Sequence, residues 1–192
     1  VVGDCTPEEA VRLATVHLGD WEGRTPPAPV PDASPRFADR RVHLVDKPDA
    51  QQAEMRLGHV AVPRAHPDYF PLVVMNAILG GLFSSRLNLN LREAHGYTYG
   101  AHSAFDWRRA ASPFEISSAV QTDKCADAVR EALHEVERMR THAVSDEELS
   151  LAVSYLDGVF PIRFETTAAI ASGLANVEIL ATSTPTARTS AR

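Results

Sequence analysis

Between Leu82 and Phe105 the chain reads LFSSRLNLNLREAHGYTYGAHSAF, and here donor-bearing side chains are spaced for chemistry. Periodicity puts Arg92 in the last turn of a helix, with Gly96 as its cap. Tyr99 stands seven positions after the arginine, at the start of a strand. A helix, a glycine turn and a strand make a corner that aims both tips into one cleft. A guanidinium presents a rigid fork of N–H donors, and a phenol adds one O–H. The pair suits a carbonyl oxygen on which negative charge develops. From the residues alone two other readings stand beside this one. Arg92 suits the last carbonyls of its own helix, and Tyr99 suits a half-buried strand position.

Other chemistries find less support. The eight histidines are His17, His43, His59, His66, His95, His102, His134 and His142. A helical zinc motif, H-E-x-x-H or H-x-x-E-H, needs two histidines four positions apart. No pair has that separation; the nearest are seven or eight apart. The spacing argues against a self-contained helical zinc site and leaves open one assembled from distant histidines; no metal ligand or cofactor-binding residue is assigned in this chain. Cys5 and Cys125 form no C-x-x-C pair, which argues against a disulfide framework or a cysteine zinc site. There is no G-x-S-x-G elbow. Gly80-Gly81 with Ser84-Ser85 reads as a helix–helix corner, since neither phosphate-loop pattern is present.

The elements that must position Arg92 and Tyr99 are legible in outline. Thr6-Pro7-Glu8-Glu9 opens a helix through Val11, Ala14 and Leu18 that Gly19 ends. Val1 to Asp4 reads as the end of a strand. Val42 to Asp46 and Ala53 to Val62 read as strands, the second alternating Ala53, Met55 and Leu57 against Glu54 and Arg56. Pro67-Asp68 starts a helix to Gly80-Gly81 with Phe70, Val73, Val74, Ala77 and Ile78 inward. A second helix, Ser84 to His95, stacks Leu87 on Leu91. Thr98 to Trp107 and Phe114 to Gln121 form a hairpin, with Phe114, Ile116, Ser118 and Val120 on one face. Lys124 to Ala143 is a helix through Val129, Leu133 and Val136. Ser145-Asp146-Glu147-Glu148 is a capping box opening another, and a last helix covers about Thr167 to Leu180. Strands grouped with helix pairs predict an α+β fold, an antiparallel-rich sheet covered on one face by helices.

Length, 192 residues, fits about one domain. Four segments are expected: a strand–helix unit at 1–22 continuing from an upstream segment, a Pro-rich connector at 23–40, the main domain at 41–180, and a Ser/Thr-rich tail at 181–192, disordered or foreign. A net charge of −6 argues against a generic nucleic-acid or anionic-membrane surface. The uncharged run Tyr69 to Ser85 reads as a buried core helix, too interrupted for a span.

Leu91-Arg92-Glu93, Gly96 and Tyr99 together resemble the arginine/tyrosine motif of the pitrilysin, or insulinase-type, zinc metallopeptidases. The nearest likeness is to the C-terminal domain of the bacterial, mitochondrial-processing-peptidase-like branch. Ser84-Ser85-Arg86-Leu87, Val2-Gly3-Asp4, Gly19-Asp20-Trp21 and Phe160 to Thr166 match as well, so the resemblance runs in order from Val1 to Ile179. It implies an α+β half-shell that pairs into a chamber. It implies zinc held by an H-x-x-E-H motif in another domain or subunit, with none held here. Arg92 and Tyr99 would then hold the carbonyl or oxyanion of a peptide substrate. Tyr97 stands where an aliphatic residue is more usual, and Tyr99 is the residue carried over. The resemblance further implies a fragment inactive without its H-x-x-E-H counterpart and a homo- or heterodimer at full length; the acidic charge and the interrupted apolar run predict no nucleic-acid or membrane partner. A non-catalytic scaffold or assembly subunit, or a peptide-binding module working by edge addition, is the alternative. Compartment stays open between cytoplasm and periplasm.

Overall fold

The computed structural model describes residues 1–23, 39–111 and 113–180. Most of the expected Pro-rich connector and all of the expected tail at 181–192 lie outside the described residues. The described chain forms two compact units, 1–23 with 159–180, and 39–158.

In the larger unit, β1 (Gln52–Val60), β2 (Thr98–Phe105) and β3 (Pro113–Gln121) form an antiparallel sheet in the order β1-β3-β2. Alternation dictates its faces. Phe114, Ile116, Ser118 and Val120 of β3 are buried, and Met55 of β1 joins them. The opposite face is polar, with Arg56 of β1 bonded to Glu115 of β3 at 2.9 Å. Among the described residues, helices cover the inner face. α2 (Tyr69–Asn76) runs into a π-helical turn, Ala77–Gly81, and α3 (Arg86–Asn88) into a second, Leu89–Ala94. α4 (Cys125–Thr141) follows the hairpin through a short 3₁₀ turn, Thr122–Lys124, and α5 is Asp146–Ile162. Leu79, Leu87 and Leu91 meet Met55, Ile116 and Val120 of the sheet and Ala128 and Ala132 of α4 in one apolar core. Leu87 and Leu91 are fully buried, so truncating either to alanine would cost about 2–5 kcal/mol. The chain is thus α+β, with an antiparallel sheet and helices on one face.

Ala128 and Ala132 let α4 lie close to the sheet, and its buried stripe centres on them. Ala128, Ala132 and Glu135 are buried, and Val129 and Val136 pack half-buried against the core as expected, whereas Leu133, also expected inward, is exposed. Phe70, expected inward, is also exposed. Val42 to Asp46 forms no strand: Val42, Leu44 and Val45 stand 86–92% exposed, with no ladder partner among the described residues. Val1 to Asp4 likewise forms none. The expected Ser84–His95 helix starts later and changes pitch, and the strand expected to Trp107 stops at Phe105. The stretch Tyr69–Ala94 is apolar and long enough to cross a membrane by composition. It is broken at Leu82, which is extended, and it sends Ala77, Ile78, Leu79, Leu87 and Leu91 into the core.

The smaller unit holds α1 (Pro7–Leu18) and α6 (Thr167–Leu180). Thr6 caps α1 as its sequence demands, its hydroxyl accepting from Glu9 N at 3.2 Å. Gly19 ends that helix in a right-handed conformation, φ −63°, rather than the left-handed cap a glycine usually supplies. Gly173 of α6 faces Phe164 so closely that a β-carbon would lie 2.6 Å from the ring.

Candidate functional site

Arg92 sits in the second π-helical turn, and its direction follows from what anchors that turn. Leu87 and Leu91 hold the turn to the core from within. Gly96 then adopts φ +65°, which reverses the chain. Hydrogen bonds from Gly96 N to Arg92 O (3.0 Å) and from Tyr97 N to Leu91 O (2.9 Å) close the corner. The expected glycine cap is therefore present, on a wider helix than α periodicity suggested.

Past the corner the two tyrosines part. Tyr97 packs against the core, its ring 5.0 Å from His95. Tyr99 is 91% exposed. A β-bulge separates the phases on either side: Thr98 pairs with Val120 and Ala101 with Ser118, so β2 spends one more residue than β3 between them. Thr98 and Ala101 both turn inward, and Tyr99 and Gly100 are left outside.

The structure brings Arg92 and Tyr99 to one place. Both line an open pocket of about 460 Å³ whose other walls include Gln52, Gln121 and Glu93. Tyr99 also lines a neighbouring hollow of about 370 Å³, with Leu82, Phe83 and His102. The Arg92 side chain is one-third exposed. Its guanidinium lies 4.3 Å from the centre of the Phe83 ring and 3.4 Å from Glu93 Oε1. The Tyr99 hydroxyl has no hydrogen bond among the described residues. One face of the corner thus carries a guanidinium and a phenol with donors to spare.

Sequence reasoning missed Phe83, which steadies the guanidinium, and missed the polar atoms beneath Tyr99. Ser118 carried a signal: it is a hydroxyl on a face otherwise made of Phe114, Ile116 and Val120. Gly80-Gly81 with Ser84-Ser85 is a helix–helix corner, where Asn88 Nδ2 donates to Ser85 Oγ at 3.2 Å and to Leu82 O at 3.1 Å.

Behind the site, Arg86 bonds Glu148 through Nε (2.6 Å) and Nη2 (2.8 Å). Glu148 also completes the predicted capping box, accepting from Ser145 N at 2.9 Å while Ser145 Oγ accepts from Glu148 N at 3.1 Å. The Arg86 hydrogen bonds hold the Glu148 carboxyl down at about 2, against a partial desolvation that works the other way, and the Ser145 N–H helps. The arginine is raised in turn. Among the described residues no group of three or more His, Cys, Asp or Glu is placed to hold a metal ion, so the residues present do not fit a zinc site. Cys5 and Cys125 are free thiols.

A family model described as the peptidase M16 inactive domain matches residues 1–156. An uncharacterised zinc protease of Mycobacterium bovis is 27% identical over 179 residues, which is 92% of this chain and 41% of the relative. The chain thus spans about two fifths of the length of that relative. The crystal structure of a peptidase M16 inactive domain from Pseudomonas fluorescens superposes with a TM-score of 0.63 at 26% identity, over 69% of this chain and 31% of that one. A protease from Helicobacter pylori shares the fold with a TM-score of 0.81 at 20% identity, over 94% of this chain and 44% of that one.

Proposed function

The chain belongs to the peptidase M16 inactive-domain family, and from that premise we propose that it is the substrate-gripping part of a zinc-dependent oligopeptidase or processing endopeptidase. In this reading Arg92 and Tyr99 donate hydrogen bonds to the scissile carbonyl oxygen of a peptide and strengthen them as that oxygen becomes an oxyanion. Zinc belongs to an H-x-x-E-H domain elsewhere in the longer protein or in a partner subunit. The observation that carries the reading is the convergence of two under-used donors, the Arg92 guanidinium and the Tyr99 hydroxyl, on one open pocket.

Each residue has a distinct task. Arg92 supplies positive charge and two parallel donors, and the Phe83 ring holds its plane. Tyr99 supplies one neutral donor from an exposed strand position. Glu93 Oε1 lies 3.4 Å from Arg92 Nε and pairs with the guanidinium at the rim of the pocket.

The test uses the full-length protein together with its H-x-x-E-H domain and a quenched fluorescent peptide. Arg92→Ala and Tyr99→Phe are each expected to lower kcat by about 10²–10³, the usual loss for one oxyanion donor. Unchanged turnover in both variants would sink the assignment.

A further inference from the structure

The geometry points to Thr98, Ser118 and Asn88 as positioning residues that hold the bulge open and so aim Tyr99. This inference rests on the reading of Tyr99 as an oxyanion donor.

A bulge leaves ladder groups without their regular partners, and buried backbone groups must be satisfied somehow. Here side chains do it. Thr98 Oγ1 lies 2.7 Å from Ala119 O and accepts from Gly100 N at 3.1 Å. Ser118 Oγ lies 2.9 Å from Gly100 O. Asn88 Oδ1 accepts from Ala101 N at 2.9 Å. Each hydroxyl has one proton, and a single assignment serves them all: Thr98 donates to Ala119 O, Ser118 donates to Gly100 O, and Thr98 Oγ1 still accepts from Gly100 N. The two hydroxyls are themselves 3.0 Å apart.

All three side chains are buried, Thr98 to 9%, Ser118 to 5% and Asn88 to 6% residual exposure. They sit beneath an otherwise apolar face, where an alanine, valine or leucine would pack without needing a hydrogen bond. Their common target is the backbone at 100, 101 and 119, which is the bulge. Asn88 ties this to the other half of the site, because it lies one helical turn before Arg92 and also bonds Leu82 O and Ser85 Oγ. One amide therefore fixes the arginine's helix against the tyrosine's strand.

The test is a double-mutant cycle in the full-length protein with its H-x-x-E-H domain, measuring kcat and KM on a quenched peptide. Thr98→Val keeps the shape and removes the hydroxyl. It is expected to lower kcat by about 10–10²-fold, as misplacement of a reacting group by about 1 Å does, with KM little changed. Thr98→Ser restores the hydroxyl and is expected to restore kcat. In a Tyr99→Phe background Thr98→Val is expected to have little further effect, because the group it aims is already gone. Ser118→Ala carries the same test should Thr98→Val not fold. If the Thr98→Val and Tyr99→Phe losses multiply, or if Thr98→Val leaves kcat unchanged while Tyr99→Phe lowers it, this inference falls alone. If Tyr99→Phe is itself silent, the oxyanion reading falls and takes this inference with it.

Discussion

A buried cation needs its partner more than the partner needs it. The Arg86 side chain is 6% exposed while that of Glu148 is 33% exposed. Arg86 Nη1 already lacks a partner among the described residues. Glu148→Gln would leave the guanidinium buried and uncompensated, at about 3 kcal/mol, the low end for a broken buried pair because Glu148 itself is partly wet. Arg86→Met leaves only a carboxylate that water can reach and that still caps α5, so it is expected to cost less. Chemical denaturation of the two variants checks the order; an equal or reversed cost would contradict it. The asymmetry was not legible in the sequence. Ser145 to Glu148 announced a capping box, and it is one, but the spacing carried no sign that Glu148 serves Arg86, 62 positions away, at the same time.

At the scale of elements, the first π-helical turn approaches β2 so closely that only a glycine fits. A β-carbon on Gly80 would lie 2.5 Å from Ser103 Oγ, 2.7 Å from Ser103 N and 2.8 Å from Leu87 Cδ1. Alanine normally favours a helix over glycine by about 1 kcal/mol. Here that gain is set against overpacking onto strand backbone, which cannot move aside, at about 1–3 kcal/mol. Gly80→Ala is therefore expected to lower the melting temperature, and a rise would show that the turn can retreat. The hairpin faces were readable because β3 alternates cleanly and period two fixes its faces. The bulge was not, since it exists only in the pairing of Thr98 and Ala101 with particular residues of β3. Val42 to Asp46 misled for a related reason. Its apolar pattern suits a strand, yet a strand also needs a neighbour, and sequence pattern says nothing about who that is. The burial of Ala128 and Ala132 at the centre of the inward stripe of α4 was missed because alanine, small enough to admit close approach, looks less like a core residue than leucine does.

For the whole molecule the same ion pair sets a response to acid. Glu148 is depressed from 4.5 to about 2, so its folded form binds its proton more weakly than the unfolded chain does. The stabilisation is in full force above 4.5 and drains away as pH falls toward about 2. Folded fraction in denaturant, followed from neutral pH into acid, should fall for the native chain relative to Glu148→Gln, the two curves converging near the bottom of that window. Parallel curves would remove the pair from the acid response. The Arg92–Tyr99 corner was the most legible part of the chain, because helix, glycine and strand follow one another within eighteen residues of sequence from Leu82 to Tyr99. The π-helical turn that bears Arg92 was not, and it has a consequence for chain length. Such a turn holds one residue more than an α turn, which lets a helix absorb a single inserted residue without displacing what flanks it. Leu87 and Gly96 stay where they are, and the residues between them are re-phased. A homologous chain one residue shorter here would keep both anchors yet present a different side chain to the pocket, so the reach of the site is governed by a count as well as by a residue type.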